Sequence, residues 1–194
     1  TTVQTHEYSI EKGDFKIENL TIVNAEMVFD IVTPQTRINQ CSLQIPGFHN
    51  AENAMAAAAV CLELGLSEEK IKAGIAAFKG VKRRFEYHIR TQQMVYIDDY
   101  AHHPTEIEAF LKSIKALYPG KKITAVFQPH LYTRTRDFQE GFASSLSIAD
   151  DVLLLDIYPA RELPIEGVTS DIIFQNITSA QKILCAKASY VPLF

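Results

Sequence analysis

The sequence predicts an α/β protein: a small antiparallel sheet with two helices, followed by a mostly parallel sheet with helices on its faces. Three observations predict it. Residues 1–46 hold short apolar runs separated by turn residues. An Ala-rich stretch of helical spacing begins after Pro46-Gly47. From about residue 94, strand-length apolar runs alternate with amphipathic helical stretches, the pattern of parallel strands joined by helical crossovers.

In order along the chain, the first three strands are marked by Phe15, Ile17 and Leu20, then Val28, Phe29, Ile31 and Val32, then Ile38, Cys41, Leu43 and Ile45. The segment Thr36–Ile45 partly alternates apolar with polar, as a half-buried strand does. A helix follows over Asn50–Leu64, with Asn50 as N-cap, Met55, Ala58, Ala59 and Leu62 on one stripe, and Gly65 at its C-terminal end. Ser67 caps a second helix, which runs through Ile71, Ile75 and Phe78 to Gly80. A domain boundary is expected there, dividing residues 1–80 from 81–194. The basic run Lys82-Arg83-Arg84 leads into extended Phe85–Arg90. Beyond it come a strand at Met94–Ile97 and a helix at Thr105–Leu117. That helix has the capping box Thr105-x-x-Glu108 and a stripe of Ile107, Phe110, Leu111 and Ile114. A strand at Ile123–Phe127 and a helix at Arg136–Ser147, with Phe138, Phe142 and Leu146 inward, follow. The wholly apolar centre of Asp151–Asp156 reads as a strand buried on both faces. A helix over Asp171–Gln181 and a strand at Lys182–Ala186 complete the pattern.

Composition narrows the function classes. The 194 residues carry 19 Lys+Arg and 23 Asp+Glu, a formal charge of −4, which argues against sequence-independent nucleic-acid binding. With 47% hydrophobic and 22% charged residues, the chain is globular and not disordered. No apolar run approaches the ~20 residues of a membrane span, and the first residues lack the charged and apolar regions of a secretory signal. Cys41, Cys61 and Cys185 are odd in number and lie in apolar stretches, so they read as small buried hydrophobes of a reducing compartment. The expected location is the cytoplasm.

Three polar loops follow predicted strands: Asp98–Glu106, Gln128–Arg136 and Asp156–Glu162. In a parallel sheet all three are expected to open on one rim, where ligands of such folds bind. They gather Asp98, Asp99, His102, His103, His130, Arg134, Arg136, Arg161 and Glu162, a set suited to a phosphorylated or carboxylated ligand. A metal site at His102-His103 is not expected, because adjacent side chains point apart and no third ligand stands at a helical spacing. Lys82-Arg83-Arg84 alone reads as a solvated patch. Ser144-Ser145 and the cysteines have no base in reach, so nucleophilic catalysis has no support. No Gly-x-x-x-x-Gly-Lys-Ser/Thr loop occurs in these residues.

Four segments in series carry a resemblance: Pro46-Gly-Phe-His-Asn-Ala-Glu-Asn-Ala54, Gly80-Val-Lys-Arg-Arg-Phe-Glu86, Asp98-Asp-Tyr-Ala-His-His-Pro-Thr-Glu106 and Phe127-Gln-Pro-His-Leu-Tyr-Thr-Arg-Thr135. In this order and spacing they resemble the Mur ligases, in particular the alanine-adding branch. Asp156-Ile-Tyr-Pro-Ala-Arg-Glu162 and Ile165-Glu-Gly-Val-Thr-Ser170 fit as well. The resemblance covers nearly the whole chain. It implies that residues 1–80 are the tail of the central ATP-binding domain. Residues 81–194 would be most of a Rossmann-like C-terminal domain that stops at Val191–Phe194, short of its last elements.

The implied reaction is an ATP-dependent amide synthesis in peptidoglycan assembly. ATP phosphorylates the lactyl carboxylate of UDP-N-acetylmuramate, L-alanine attacks the acyl phosphate, and ADP and phosphate leave. Fixed cations and Mg2+ stabilise the charge that develops. The P-loop and the magnesium ligands are expected in N-terminal domains ahead of this chain, so the chain alone is expected to be inactive. By the same resemblance, His49, Asn50 and Asn53 face the adenine end of ATP, and Arg84 approaches its phosphates. Asp99 stands near the ribose, Tyr100 lies against the nucleotide, and His103 lines the cleft. His130 and Arg134 hold the amino-acid end, with no metal on these residues. Arg84, Asp99 and His103 are the expected catalytic group. Where the family often carries arginine after Phe-Gln-Pro-His, this chain has Leu131. A cation at the amino-acid end is therefore absent or supplied elsewhere, with Arg136 one candidate, and Arg134 carries more of the reading. The competing readings are a ligase that recycles a preformed tripeptide onto the same UDP-sugar, and a non-catalytic nucleotide- or sugar-phosphate-binding module.

Overall fold

The computed structural model describes residues 5–24, 26–179 and 181–185. Two compact units divide it, Thr1–Tyr100 and Ala101–Phe194. The first contains strands β1 (Lys16–Val23), β2 (Glu26–Val32) and β3 (Arg37–Leu43), helices α1 (Phe48–Glu63) and α2 (Glu68–Ala77), and the hairpin β4 (Glu86–Arg90) and β5 (Val95–Asp98). The second contains α3 (Pro104–Leu117), β6 (Thr124–Phe127), α4 (Tyr132–Asp137), α5 (Gln139–Leu146), β7 (Asp151–Leu155), α6 (Asp171–Phe174) and β8 (Gln181–Cys185).

Strands β1, β2 and β3 form the expected antiparallel sheet. Its apolar face packs with α1 and α2 around Phe29, Ile31, Met27, Met55 and Ile71. Each such side chain stabilises by roughly 1.5–3 kcal/mol on burial. Two register shifts interrupt the ladders, one at Glu18/Thr21 and one at Phe29/Ile31. Asn19 and Gln40 bulge there with φ of 53° and 57°. Asp30, only 4% exposed, fastens both bulges, accepting from Asn19 Nδ2 and from the Gln40 N–H at 2.8 Å each.

α1 ends where the sequence places its end. Gly65, at φ 78°, donates to the Leu62 carbonyl, and Leu66 donates to that of Cys61, so the last carbonyls are satisfied by a left-handed turn. Its start is earlier than expected. Gly47 is the N-cap, and Asn50 is not a cap: its Nδ2 donates to the Pro46 carbonyl at 2.9 Å. α2 buries Ile71 and Ile75, but Phe78 is its C-cap and half exposed, because the chain turns extended there.

The strand expected at Met94–Ile97 forms one residue later and pairs antiparallel with β4, not with the parallel strands. A tight Thr91–Met94 turn explains this. The Thr91 hydroxyl and backbone bond Met94 at 2.9–3.0 Å, making β4 and β5 nearest neighbours.

In the second unit β6, β7 and β8 are parallel in that order, with Val126, Leu153 and Ile183 in register. Val152–Leu155 are all buried, as a strand covered on both faces requires. Phe142 of α5 packs on Phe127 of β6, ring centres 5.4 Å apart. α3 buries Ile107, Leu111 and Ile114, while Phe110 is half-buried.

Its capping box lies two residues ahead of the expected one. His103 is the N-cap, its Nδ1 accepting from the Thr105 N–H, and Glu106 accepts from the His103 N–H at 3.2 Å. Pro104 occupies the first helical position, where no N–H is needed.

Two helices differ from the expectation. The one expected at Arg136–Ser147 starts at Tyr132 and breaks at Phe138, whose backbone leaves the helical region (φ −119°, ψ 18°). Phe138 is 41% exposed and sets its ring edge-on to His103 at 4.8 Å, so it does not point inward. The helix expected over Asp171–Gln181 stops at Phe174. Lys182 Nζ takes the carbonyls of Phe174, Gln175 and Ile177 at 2.8–3.3 Å, replacing a further turn. Of the last expected strand Ala186 lies outside the described residues, as does Val191–Phe194. Among the described residues no helix is long and apolar enough to cross a membrane, and the three cysteines are free. Cys41 is buried, whereas Cys61 and Cys185 are half-buried. Burial pushes the Cys41 thiol up to about 11, so it stays protonated and inert.

Candidate functional site

In the first unit the residues of interest fall on the first turns of α1 and on the Gly80–Glu86 loop. His49 and Asn53 are four apart and share one face of α1, with Asn53 exposed and His49 half-buried. Asn50 is turned back to Pro46 by its bond to that carbonyl.

The loop around Arg84 is held in a strained shape. Arg83 and Phe85, its two neighbours, have φ of 59° and 52°, where non-glycine residues are uncommon. Carboxylates hold both: Glu86 Oε2 accepts from the Arg83 N–H, and Asp99 Oδ2 from the Phe85 N–H, each at 2.8 Å. Tyr100 donates its N–H to the Arg83 carbonyl at 2.7 Å, and the Arg83 guanidinium lies 4.7 Å above the Tyr100 ring. Gly80, at φ 90°, admits Ile45 where a Cβ would stand 2.3 Å from its Cδ1. Phe85 is buried and anchors the loop while Arg84 is exposed. Three of the residues expected at the nucleotide, Arg84, Asp99 and Tyr100, are therefore one structural piece, with Asp99 supporting the backbone beside Arg84.

In the second unit the loops after β6 and β7 are sewn together. The Leu131 N–H donates to the Tyr158 carbonyl at 3.0 Å, and the Tyr158 N–H to that of Pro129 at 2.8 Å. His130 stacks on Tyr158, centres 5.4 Å apart. Gln128 Nε2 bonds the Asp156 carbonyl at 3.1 Å. Thr133 donates its N–H and hydroxyl to Glu162 at 3.0 and 2.5 Å.

His130 titrates below its ordinary range, chiefly because burial disfavours the imidazolium and then because Arg134 and His102 face it. Among the described residues, Nη1 of Arg134 is buried with no hydrogen-bond partner, a donor open to an acceptor. His103 is tied into the start of α3 and against Phe138. Burial raises the Glu106 carboxyl, but the N–H groups and the ring charges of His102 and His103 together outweigh it and hold it below the usual carboxylate range.

The three polar loops do not share one sheet. The second and third do, whereas Asp98, Asp99 and Tyr100 belong to the β4–β5 unit. Arg136, the alternative cation where this chain has Leu131, is exposed and pairs with Asp137 at 2.8 Å. Leu131 itself is in the left-handed region, φ 74°.

Glu86, His88 and Asp98 bring ligand atoms within 4.8 Å of one another, a grouping the sequence reading did not single out. Arg83 lies 3.8 Å from Asp98 and supplies the counter-charge, and an imidazole is a poor ligand for Mg2+. The trio does not fit that ion. The exposed guanidinium of Arg84 and the imidazole and amide on α1 do fit phosphate and base groups of a nucleotide. Also missed were the structural parts of Glu86, Tyr158 and Glu162. Each acts through a contact distant in sequence or through a backbone shape that composition does not reveal.

The glutamate ligase domain of the Mur ligases matches residues 83–191, and the Mur ligase middle domain matches residues 1–61. A UDP-N-acetylmuramate–L-alanine ligase of Phocaeicola vulgatus is 50% identical over 186 residues, covering 95% of this chain and 41% of that protein. A Parabacteroides distasonis protein of the same name is also 50% identical, over 95% of this chain and 40% of its own. The chain thus spans about two fifths of the length of the curated relatives it matches. Among solved structures, the UDP-N-acetylmuramate–alanine ligase MurC of Thermotoga maritima superposes with a TM-score of 0.76 at 27% identity, over 93% of this chain and 39% of that one. The match of the glutamate ligase domain to more than half of the chain settles its descent: the chain belongs to the Mur ligase family.

Proposed function

We propose that the protein carrying this chain joins L-alanine to UDP-N-acetylmuramate in an ATP-dependent amide synthesis, a step of peptidoglycan assembly in the cytoplasm. The reading is supported by the names and 50% identity of the curated relatives. Within the site, one observation carries it: Arg134 holds a buried, unpartnered guanidinium nitrogen beside a neutral-leaning His130. A guanidinium so placed matches the carboxylate of an amino acid through charge-assisted hydrogen bonds.

Residues 1–80 form the later part of the ATP-binding domain in this reading, and 81–194 the C-terminal domain. ATP, when bound with Mg2+, supplies the phosphoryl group that activates the lactyl carboxylate. The chain's own residues bind and orient. His49 and Asn53 on α1 meet the base, with Asn50 fixing the turn below them. Arg84 meets phosphate oxygens, held there by the bonds of Asp99 and Glu86 to its neighbours. Tyr100 flanks the nucleotide, and His103 lines the site from the start of α3. Arg134 binds the alanine carboxylate, and His130 faces the amine as an uncharged acceptor. Without a P-loop the chain alone does not catalyse ligation.

The test is phosphate release by the full-length protein given ATP, Mg2+, UDP-N-acetylmuramate and L-alanine. Release that depends on alanine supports the reading. Release with a preformed tripeptide in place of alanine assigns the protein to the recycling reaction. No release from folded protein leaves the binding module.

A further inference from the structure

We propose that Glu162 is a positioning residue for the amino-acid end of the site, holding the turn from Leu131 to Thr133 so that the Arg134 guanidinium stays open to a substrate carboxylate. The inference rests on the reading above. α4 has six residues and starts without a side-chain cap of its own. The residue before it, Leu131, sits at φ 74°, a conformation that costs a non-glycine residue of order 1 kcal/mol or more. The first N–H groups of any helix lack partners within the helix. Glu162 supplies one such partner from the neighbouring loop: Oε2 accepts from the Thr133 N–H at 3.0 Å, and Oε1 accepts from its hydroxyl at 2.5 Å. The other end of the brace is fixed too, since the Glu162 N–H donates to the Pro159 carbonyl at 2.9 Å.

What the carboxylate leaves undone is as informative. Pairs of arginine with a carboxylate are frequently two-pronged, and Glu162 carries charge close enough for Arg134 to lower its carboxyl. Here both oxygens of Glu162 accept from Thr133, and among the described residues Nη1 of Arg134 remains without a hydrogen-bond partner. Thr133 therefore does two things at once: it receives the brace that shapes the turn, and it keeps that carboxylate from occupying Arg134. The bonds from the Thr133 hydroxyl and N–H also hold the Glu162 carboxyl below its usual range, so it is ionised throughout the neutral range.

The test compares the full-length enzyme with Glu162→Ala, Glu162→Gln and Thr133→Val, measuring kcat and the KM for L-alanine and for ATP separately. Glu162→Ala is expected to raise the alanine KM about tenfold, with kcat at saturating alanine and the ATP KM changed by less than about twofold. Glu162→Gln still accepts from the Thr133 N–H and is expected to recover most of that loss. Combining Glu162→Ala with Thr133→Val is expected to be no worse than Glu162→Ala alone, because the two share one contact. An alanine KM unchanged in Glu162→Ala, or alanine and ATP constants that rise together, overturns the proposal. Should Glu162→Ala fail to fold, Thr133→Val carries the same split in KM by itself. An unmodified enzyme that shows no alanine-dependent release overturns the reading of the site and this inference with it. Activity with unmoved constants overturns the inference alone.

Discussion

Arg84 and Arg134 are both guanidiniums, yet their surroundings ask for different work. Arg84 is exposed and held by neighbours in left-handed backbone. Arg134 has a buried nitrogen awaiting an acceptor. Replacing Arg84 with Ala in the full-length enzyme is expected to lower kcat by roughly 10²–10³, the scale of losing a fixed donor to developing charge. Steady-state kinetics checks it, and an unchanged kcat removes Arg84 from the phosphates. Replacing Arg134 with Ala is expected to raise the alanine KM by about one to two powers of ten while the ATP KM holds. His130 offers a pH reading of the same corner. Burial, then Arg134 and His102, keep it neutral where a free imidazole, with its ordinary value of 6.5, begins to charge. A base whose folded value is depressed binds fewer protons folded than unfolded, so its contribution to stability is complete above that ordinary value and is lost as pH falls below it. An NMR titration of His130 is expected to midpoint below 6.5, and to move back toward it in Arg134→Ala.

At the scale of elements, most of the fold was legible in the sequence where one strong pattern decided. The Ile107, Leu111 and Ile114 stripe, the apolar centre of β7, and Gly65 beyond α1 each correspond to what formed. Patterns failed where a distant partner settled the matter. Nothing near Asp171 announces that Lys182, on β8, takes the carbonyls and ends α6 after one turn. Nothing in Met94–Ile97 announces pairing with β4, which the Thr91 turn imposes. Phe138 fits an amphipathic stripe but breaks the helix to meet His103. The candidate residues themselves were visible from motif resemblance. The loop-shaping contacts of the carboxylates were not, even where the residue itself was singled out, because Glu86, Asp99 and Glu162 act through backbone N–H groups. Asp30 is the clearest structural instance of such a role. Asp30→Ala strands the Gln40 N–H and frees both bulges, and is expected to cost about 1–3 kcal/mol in denaturant unfolding. A change within a few tenths would show that the bulges stand without it.

At the scale of the whole molecule, the proposed ligase needs a phosphate cradle, and no P-loop occurs among these 194 residues. The 194 residues alone are expected to give no alanine-dependent phosphate release. The most direct test is therefore made on the full-length protein. Supplied with ATP, Mg2+ and UDP-N-acetylmuramate, it is expected to release phosphate when L-alanine is added and to stay silent with the tripeptide. Release with the tripeptide and none with alanine, or none with either from folded protein, would contradict the account.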